Sequence, residues 1–185
     1  MDDDLVERLA KNLDDAFEDL VVAAQHFVFG VAYRLTLNRH DAEDVAQEAL
    51  VRAYRALRTY DAERIRGIRL HPWLARITLN VQRNRTRRRH DVVTGVPESA
   101  APTGEGPEAM AEASDARTAC AAHVAALPEP YRVVVTLRHI EGLSYAEVAA
   151  ALDKPVGTVK AQVHRAIALL RERMEEEDRR WKERA

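Results

Sequence analysis

Apolar residues recur at spacings of three and four along most of this chain, and the rhythm fails for any length only once. Leu13, Phe17, Leu20, Val21, Ala24, Val28, Val31, Ala32 and Leu35 form the first stripe and predict a long amphipathic helix. After a break at residues 38–40, Asp41 is the predicted cap of a second helix, and Asp44 lies where the helix dipole favours negative charge. At about 100° per residue, Val45, Ala49, Ala53, Ala56 and Leu57 share the buried side of that helix. Asp44, Gln47, Glu48, Val51 and Arg55 share the opposite side, where an apolar Val51 is out of pattern for a solvated surface. Residues 59–70 predict a loop. Pro72 suits the first turn of a third helix, whose core stripe is Trp73, Leu74, Ile77 and Val81.

From Asp91 to Ala116 the periodicity disappears. Pro97, Pro102, Pro107, Gly95, Gly104 and Gly106 stand among small and acidic residues, the composition of a flexible, solvated linker. Helical spacing then resumes with Ala116, Cys120, Val124 and Leu127, followed by a helix opening at Pro128 or Pro130 that buries Val133, Val134, Leu137 and Ile140. Glu141 and Gly142 mark a turn, and Ser144 with Glu147 makes the S-x-x-E capping box of a short helix carrying Val148, Ala149 and Leu152. Residues 153–157 form the next turn. Thr158 then opens a helix with Val159, Val163, Ala166, Ile167 and Leu170 inside. A short helix, a tight turn and a longer helix make a helix-turn-helix. The expectation is an all-α protein of two small modules, residues 1–90 and 117–175, joined by the acidic linker over 91–116 and followed by a frayed helical tail at 176–185.

Composition narrows the class. Hydrophobic residues at 46 % suffice for compact cores, and seven glycines with few aromatics agree with helix throughout. The single Cys120 cannot form an internal disulfide, and the first ten residues lack the basic-then-apolar layout of a secretory signal, so the expected compartment is the reducing cytoplasm. No apolar run reaches the roughly 20 residues that span a bilayer, which argues against membrane insertion.

The net charge of -2 hides a segregation of charge. Residues 1–48 hold twelve carboxylates against four bases, and the linker holds six carboxylates and no base. Between Arg64 and Arg89 stand nine arginines and not one acid. A charge run is ordinarily a solvated face, but here no acidic neighbour within the run can offset the repulsion. Arg76, Asn80, Arg83 and Arg87 fall along one flank of the third helix, a cationic stripe fit to follow a phosphate backbone. Tyr60 and Trp73 bracket the preceding loop, where aromatics can stack on unpaired bases; Trp73 also lies on the apolar stripe, which favours burial, and Tyr60 is the open candidate. In the helix-turn-helix, Thr158, Lys160, Ala161, His164 and Arg165 occupy the face opposite the core near the N-terminus of the reading helix, placed for bases or phosphates. His139, His164 and Cys120 lie on three different helices without ligand spacing, and no Cys-x-x-Cys occurs. No glycine-rich phosphate loop, nucleophile elbow or His-Glu-x-x-His run is present, so neither cofactor, metal nor enzymatic activity is expected.

Over most of residues 14–174 these motifs resemble, in order and spacing, the extracytoplasmic-function (ECF) group of bacterial RNA polymerase sigma factors. Phe17-Glu18-Asp19-Leu20 resembles the family's opening helix, and the run from Asp41 to Tyr54 is similar to its segment that docks on core polymerase. Trp73-Leu74 with Ile77, Asn80 and the arginine run resembles the element that melts and reads the minus-10 region. Leu127-Pro128, the run from Arg138 to Tyr145 and that from Pro155 to Lys160 resemble the minus-35-reading module. The resemblance implies that Asp44, Gln47, Glu48, Val51 and Arg55 bind polymerase. It implies that Tyr60, Arg66, Arg69, Arg76, Asn80, Arg83 and Arg87 meet single-stranded minus-10 DNA, and that Thr158, Lys160, Ala161, His164 and Arg165 meet the minus-35 duplex. An anti-sigma factor is a further implied partner, and the acidic linker suits a chain threading the polymerase's basic channel.

The chain also departs from the family pattern. It is about three residues longer between Tyr60 and Trp73, carries Ala161-Gln162 where a Ser-Arg pair is common, and has Leu79 where Arg is frequent. Two other readings compete. A free-standing helix-turn-helix regulator would bind duplex DNA alone, usually as a dimer, but no dimerisation helix is evident and the acidic face would have no use. A sigma mimic would bind a regulator without initiating transcription.

Overall fold

The computed structural model describes residues 3–92 and 120–183, and these residues contain helices and turns but no strand. They form two compact units, one built on the helices between Asp3 and Val92, the other on those reaching Lys182.

Between residues 3 and 92 the described helices are α1 (Asp3–Lys11), α2 (Leu13–Thr36), α3 (Arg39–Leu57), α4 (Ala62–Arg66) and α5 (Leu70–Val92). Helices α2, α3 and α5 pack on one another, and α1 packs on α2 and α4. Leu20, Val28, Val31, Val45, Leu57, Leu74 and Val81 are fully buried between them. Ala24, Ala32, Ala42, Ala49, Ala53 and Ala75 are equally inaccessible, and their small side chains allow a close approach of helix axes.

Several expectations need correction. Helix α1 was not predicted, because its buried side is only Leu5 and Leu9, one turn apart and too few to register as a period. Helix α3 starts at Arg39 and is capped by Asn38, not Asp41; the Asn38 Oδ1 accepts the Asp41 N–H at 3.0 Å. The predicted loop at 59–70 contains α4, whose cap Asp61 accepts the Arg64 N–H at 2.8 Å. In α5 the buried positions are Leu70, Pro72, Leu74, Ala75, Thr78, Leu79 and Val81, while Trp73 and Ile77 are half-buried. The hydroxyl of buried Thr78 donates to the Leu74 carbonyl at 2.8 Å and so needs no other partner. Burial of Leu79 gives it a core role. Helix α5 continues to Val92, past the predicted module end; the rest of the predicted linker lies outside the described residues.

In the second unit residues 120–125 are helical. Then come α6 (Glu129–Val135), a π-helical turn over Thr136–Ile140, α7 (Tyr145–Leu152) and α8 (Val156–Lys182), with α6 packed on α8. Val124 and Leu127 are buried as expected, but Cys120 is exposed, and Ala116 lies outside the described residues. The π turn carries an extra residue and rotates Ile140 out of the core to 41 % exposure, contrary to the regular helical spacing. Gly142 follows at φ 74°, a conformation that suits glycine. The capping box is complete: the Ser144 N–H donates to the Glu147 carboxylate at 2.8 Å, and the Glu147 N–H to the Ser144 hydroxyl at 3.3 Å. Helix α8 starts two residues before Thr158. It buries Val159, Val163 and Ala166, while Ile167 and Leu170 are half-buried. The tail is helical to Lys182, with Glu177 3.3 Å from His123.

Candidate nucleic-acid interface

The arginine block sorts into groups with different surroundings. Arg76, Asn80, Arg83 and Arg87 are all exposed on the side of α5 opposite its core, as the wheel predicts. None of these three arginines is ion-paired with another described residue, so their charge is available to an external anion. Arg85 behaves otherwise. It follows Val81 by four residues and so prolongs the buried line of α5 until that line meets α3. There its guanidinium lies 2.8 Å from the Asp44 carboxylate and 3.9 Å from that of Glu48.

That contact falls on the other predicted surface. Asp44, Gln47, Glu48, Val51 and Arg55 do share one face of α3, with Gln47, Val51 and Arg55 exposed and the two carboxylates half-buried. Val51 is 48 % exposed, one of the few large apolar side chains left open to water. Both acids are partly compensated, Asp44 by Arg85 and Glu48 by Arg52 one turn along the same helix as well as by Arg85. The expectation for this face did not include Arg85, although its place on the α5 wheel was the available signal.

Arg66 is also engaged. Its Nε and Nη2 reach the two carboxylate oxygens of Glu7 on α1 at 2.7 and 3.2 Å, and this pairing holds the Glu7 carboxyl below the usual carboxylate range. Arg69 is exposed just ahead of α5, where its carbonyl accepts the Trp73 N–H at 3.1 Å. Tyr60 meets Trp73 edge to face, ring centroids 6.4 Å apart, and the Arg64 guanidinium lies 3.7 Å over the Tyr60 ring. One face of the candidate stacking ring is thus already covered by a cation, and Arg64, at the head of the arginine run, joins the site through this contact.

In the second unit the predicted reading face is exposed throughout: Thr158, Lys160, Ala161, His164 and Arg165. Tyr145 organises the cations beside it. The Arg138 guanidinium lies 4.9 Å from its ring centroid and the Lys160 ammonium 5.8 Å. Gln162 is held by Lys154 at 3.2 Å. Among the described residues no cluster of three or more His, Cys, Asp and Glu side chains could hold a metal ion, and no helix is long and apolar enough to cross a membrane.

Residues 20–91 match the family model described as Sigma-70 region 2, and residues 123–170 match that of Sigma-70, region 4. The RNA polymerase sigma-H factor of Pseudomonas aeruginosa is 34 % identical, with 89 % of each chain covered. The ECF sigma factor SigW of Bacillus subtilis is 31 % identical over 91 % of this chain and 94 % of its own, and the ECF sigma-E factor of Escherichia coli 35 % identical over 88 % of each. Among solved structures, CnrH bound to the cytosolic domain of CnrY aligns with a TM-score of 0.67 at 26 % identity, covering 95 % of this chain and 97 % of that one. RpoE of Bartonella quintana, solved with the anti-sigma factor NepR, shares the fold with a TM-score of 0.68 at 23 % identity, over 86 % of this chain and 96 % of its own. With both regions matched in order, and such identities sustained over nearly the whole of these relatives, the chain belongs to the extracytoplasmic-function group of sigma-70 family RNA polymerase sigma factors.

Proposed function

We propose that this protein binds core RNA polymerase in the cytoplasm and directs it to a particular set of promoters, under the control of an anti-sigma factor. The match to region 2 and region 4 in order carries this reading. The protein supplies recognition and no covalent chemistry.

Each surface has a physical role. On α3, exposed Val51 provides an apolar centre, and Asp44, Gln47, Glu48 and Arg55 a polar rim that selects a basic partner. On α5, Arg76, Asn80, Arg83 and Arg87 hold the opened minus-10 strand by its phosphates, while Tyr60 and Arg69 flank the base-reading loop. On α8, Lys160 and Arg165 reach base edges or phosphates of the minus-35 duplex, with Thr158, Ala161 and His164 shaping the contact. Extrusion of a base costs a few kcal/mol, which the phosphate contacts and the stacking site together offset. A free-standing regulator would leave the acidic α3 face without a partner.

The test is reconstitution. Purified protein added to core polymerase is expected to give transcripts from a defined promoter set when start sites are mapped across genomic DNA. Specific binding to duplex DNA without polymerase, and no promoter-dependent transcripts with it, would overturn the proposal in favour of a free-standing regulator.

A further inference from the structure

Helix α4 is five residues long, too short to hold its shape alone, and it stands in the segment between Tyr60 and Trp73. Two attachments keep it in place. Ile65 is buried at 5 % exposure where α4 packs on α1, whose Leu5 and Leu9 are buried too. Arg66 closes a two-pronged pair with Glu7. Helix α1 is itself tied to α2 by Arg8, which bonds Asp19. A mechanical path therefore runs from the α2 framework through Arg8, Glu7 and Arg66 to α4, whose Arg64 lies on the Tyr60 ring.

We propose that α1 is a determinant of promoter selectivity: Glu7, acting through Arg66, sets the position of α4 and hence which base the segment between Tyr60 and Trp73 accepts. This rests on the reading that the segment meets the opened minus-10 strand. Arg66 is then a positioning residue whose fork is spent on a carboxylate instead of a phosphate. The pair is the one ion pair between α1 and α4 among the described residues, 59 positions apart in sequence, and it is exposed enough to be altered without opening the core.

The experiment uses the full chain with core polymerase on a promoter library randomised through the minus-10 region, with transcripts counted by base at each position. Glu7→Gln and Arg66→Gln are expected to flatten the preference at the same positions, by about two- to fivefold each, a scale consistent with loss of one exposed ion pair. The double variant is expected to go no further than either single one, and the exchanged pair Glu7→Arg with Arg66→Glu to recover most of the preference. If Arg66→Gln lowers output equally at all promoters while Glu7→Gln leaves the base profile unchanged, Arg66 contacts phosphate and the proposal is overturned. A Glu7→Gln protein with a lower melting temperature and an unaltered base profile overturns it as well. Absence of promoter-dependent transcription by the unaltered protein removes the sigma-factor reading itself, and this inference with it.

Discussion

Arg83 and Arg85 are two residues apart on α5 and face opposite ways, and that difference separates two jobs within one arginine run. Arg83 is exposed, whereas Arg85 turns toward α3 and compensates Asp44 and Glu48. Arg85→Met removes the cation beside Asp44 and leaves Glu48 with Arg52 alone, on the face proposed to bind polymerase. Its expected effect is tighter core-polymerase binding at low salt and a steeper loss as salt rises, followed by titration at several ionic strengths, with the salt slope of DNA binding unchanged. Reversing Asp44 and Glu48 to arginine is a poor probe, since it would place new cations against Arg85. At this scale the sequence was readable where a residue's role follows from its own helix. The exposed positions of Arg76, Lys160 and Arg165 follow from the wheel alone. The pairs Arg66–Glu7 and Arg85–Asp44 were not readable, because they join residues 59 and 41 positions apart and depend on how helices pack.

Among the elements, long periodic helices were legible and short ones were not. Helix α2 and the capping box of α7 stand where the pattern puts them, because each is specified by contiguous residues. Helices α1 and α4 are too short to reveal a period; α4 is held by packing on α1, and α1 by packing on α2 and α4. The π turn after α6 escaped for a related reason: it follows a regular apolar spacing and departs from it by one residue. Just upstream, Arg132 donates from Nη1 to the carbonyls of Ala125 and Leu127, satisfying the end of the preceding helix, and burial pushes its guanidinium pKa down. Arg132→Met is expected to destabilise the second unit by about 1–2 kcal/mol, since its gain in apolar packing only partly offsets two orphaned carbonyls. Hydrogen exchange at the amides of α6 and α8 would register the loss, and the first unit's amides would keep their protection.

For the whole molecule, the decisive property is the separation of charge that a net value of -2 conceals. Cations without a described ion-pair partner line the outer side of α5, while α3 presents acids, so one unit can meet DNA and a basic protein surface at once. The salt dependence of DNA binding follows. Arg83→Ala is expected to weaken binding alike for all promoter sequences and to lower the slope of log affinity against log salt by about one, as measured by fluorescence anisotropy on a forked promoter fragment.

The guanidinium resting on Tyr60 adds a condition to that encounter. If Tyr60 takes a base as proposed, the base can stack on that side of the ring only by evicting Arg64, which plugs the seat in the solitary protein. Once displaced, the same cation is left beside a strand rich in phosphate, where its charge is of most use. On the proposed reading, that exchange would penalise casual contact with stray single strands and reward a strand already held along α5.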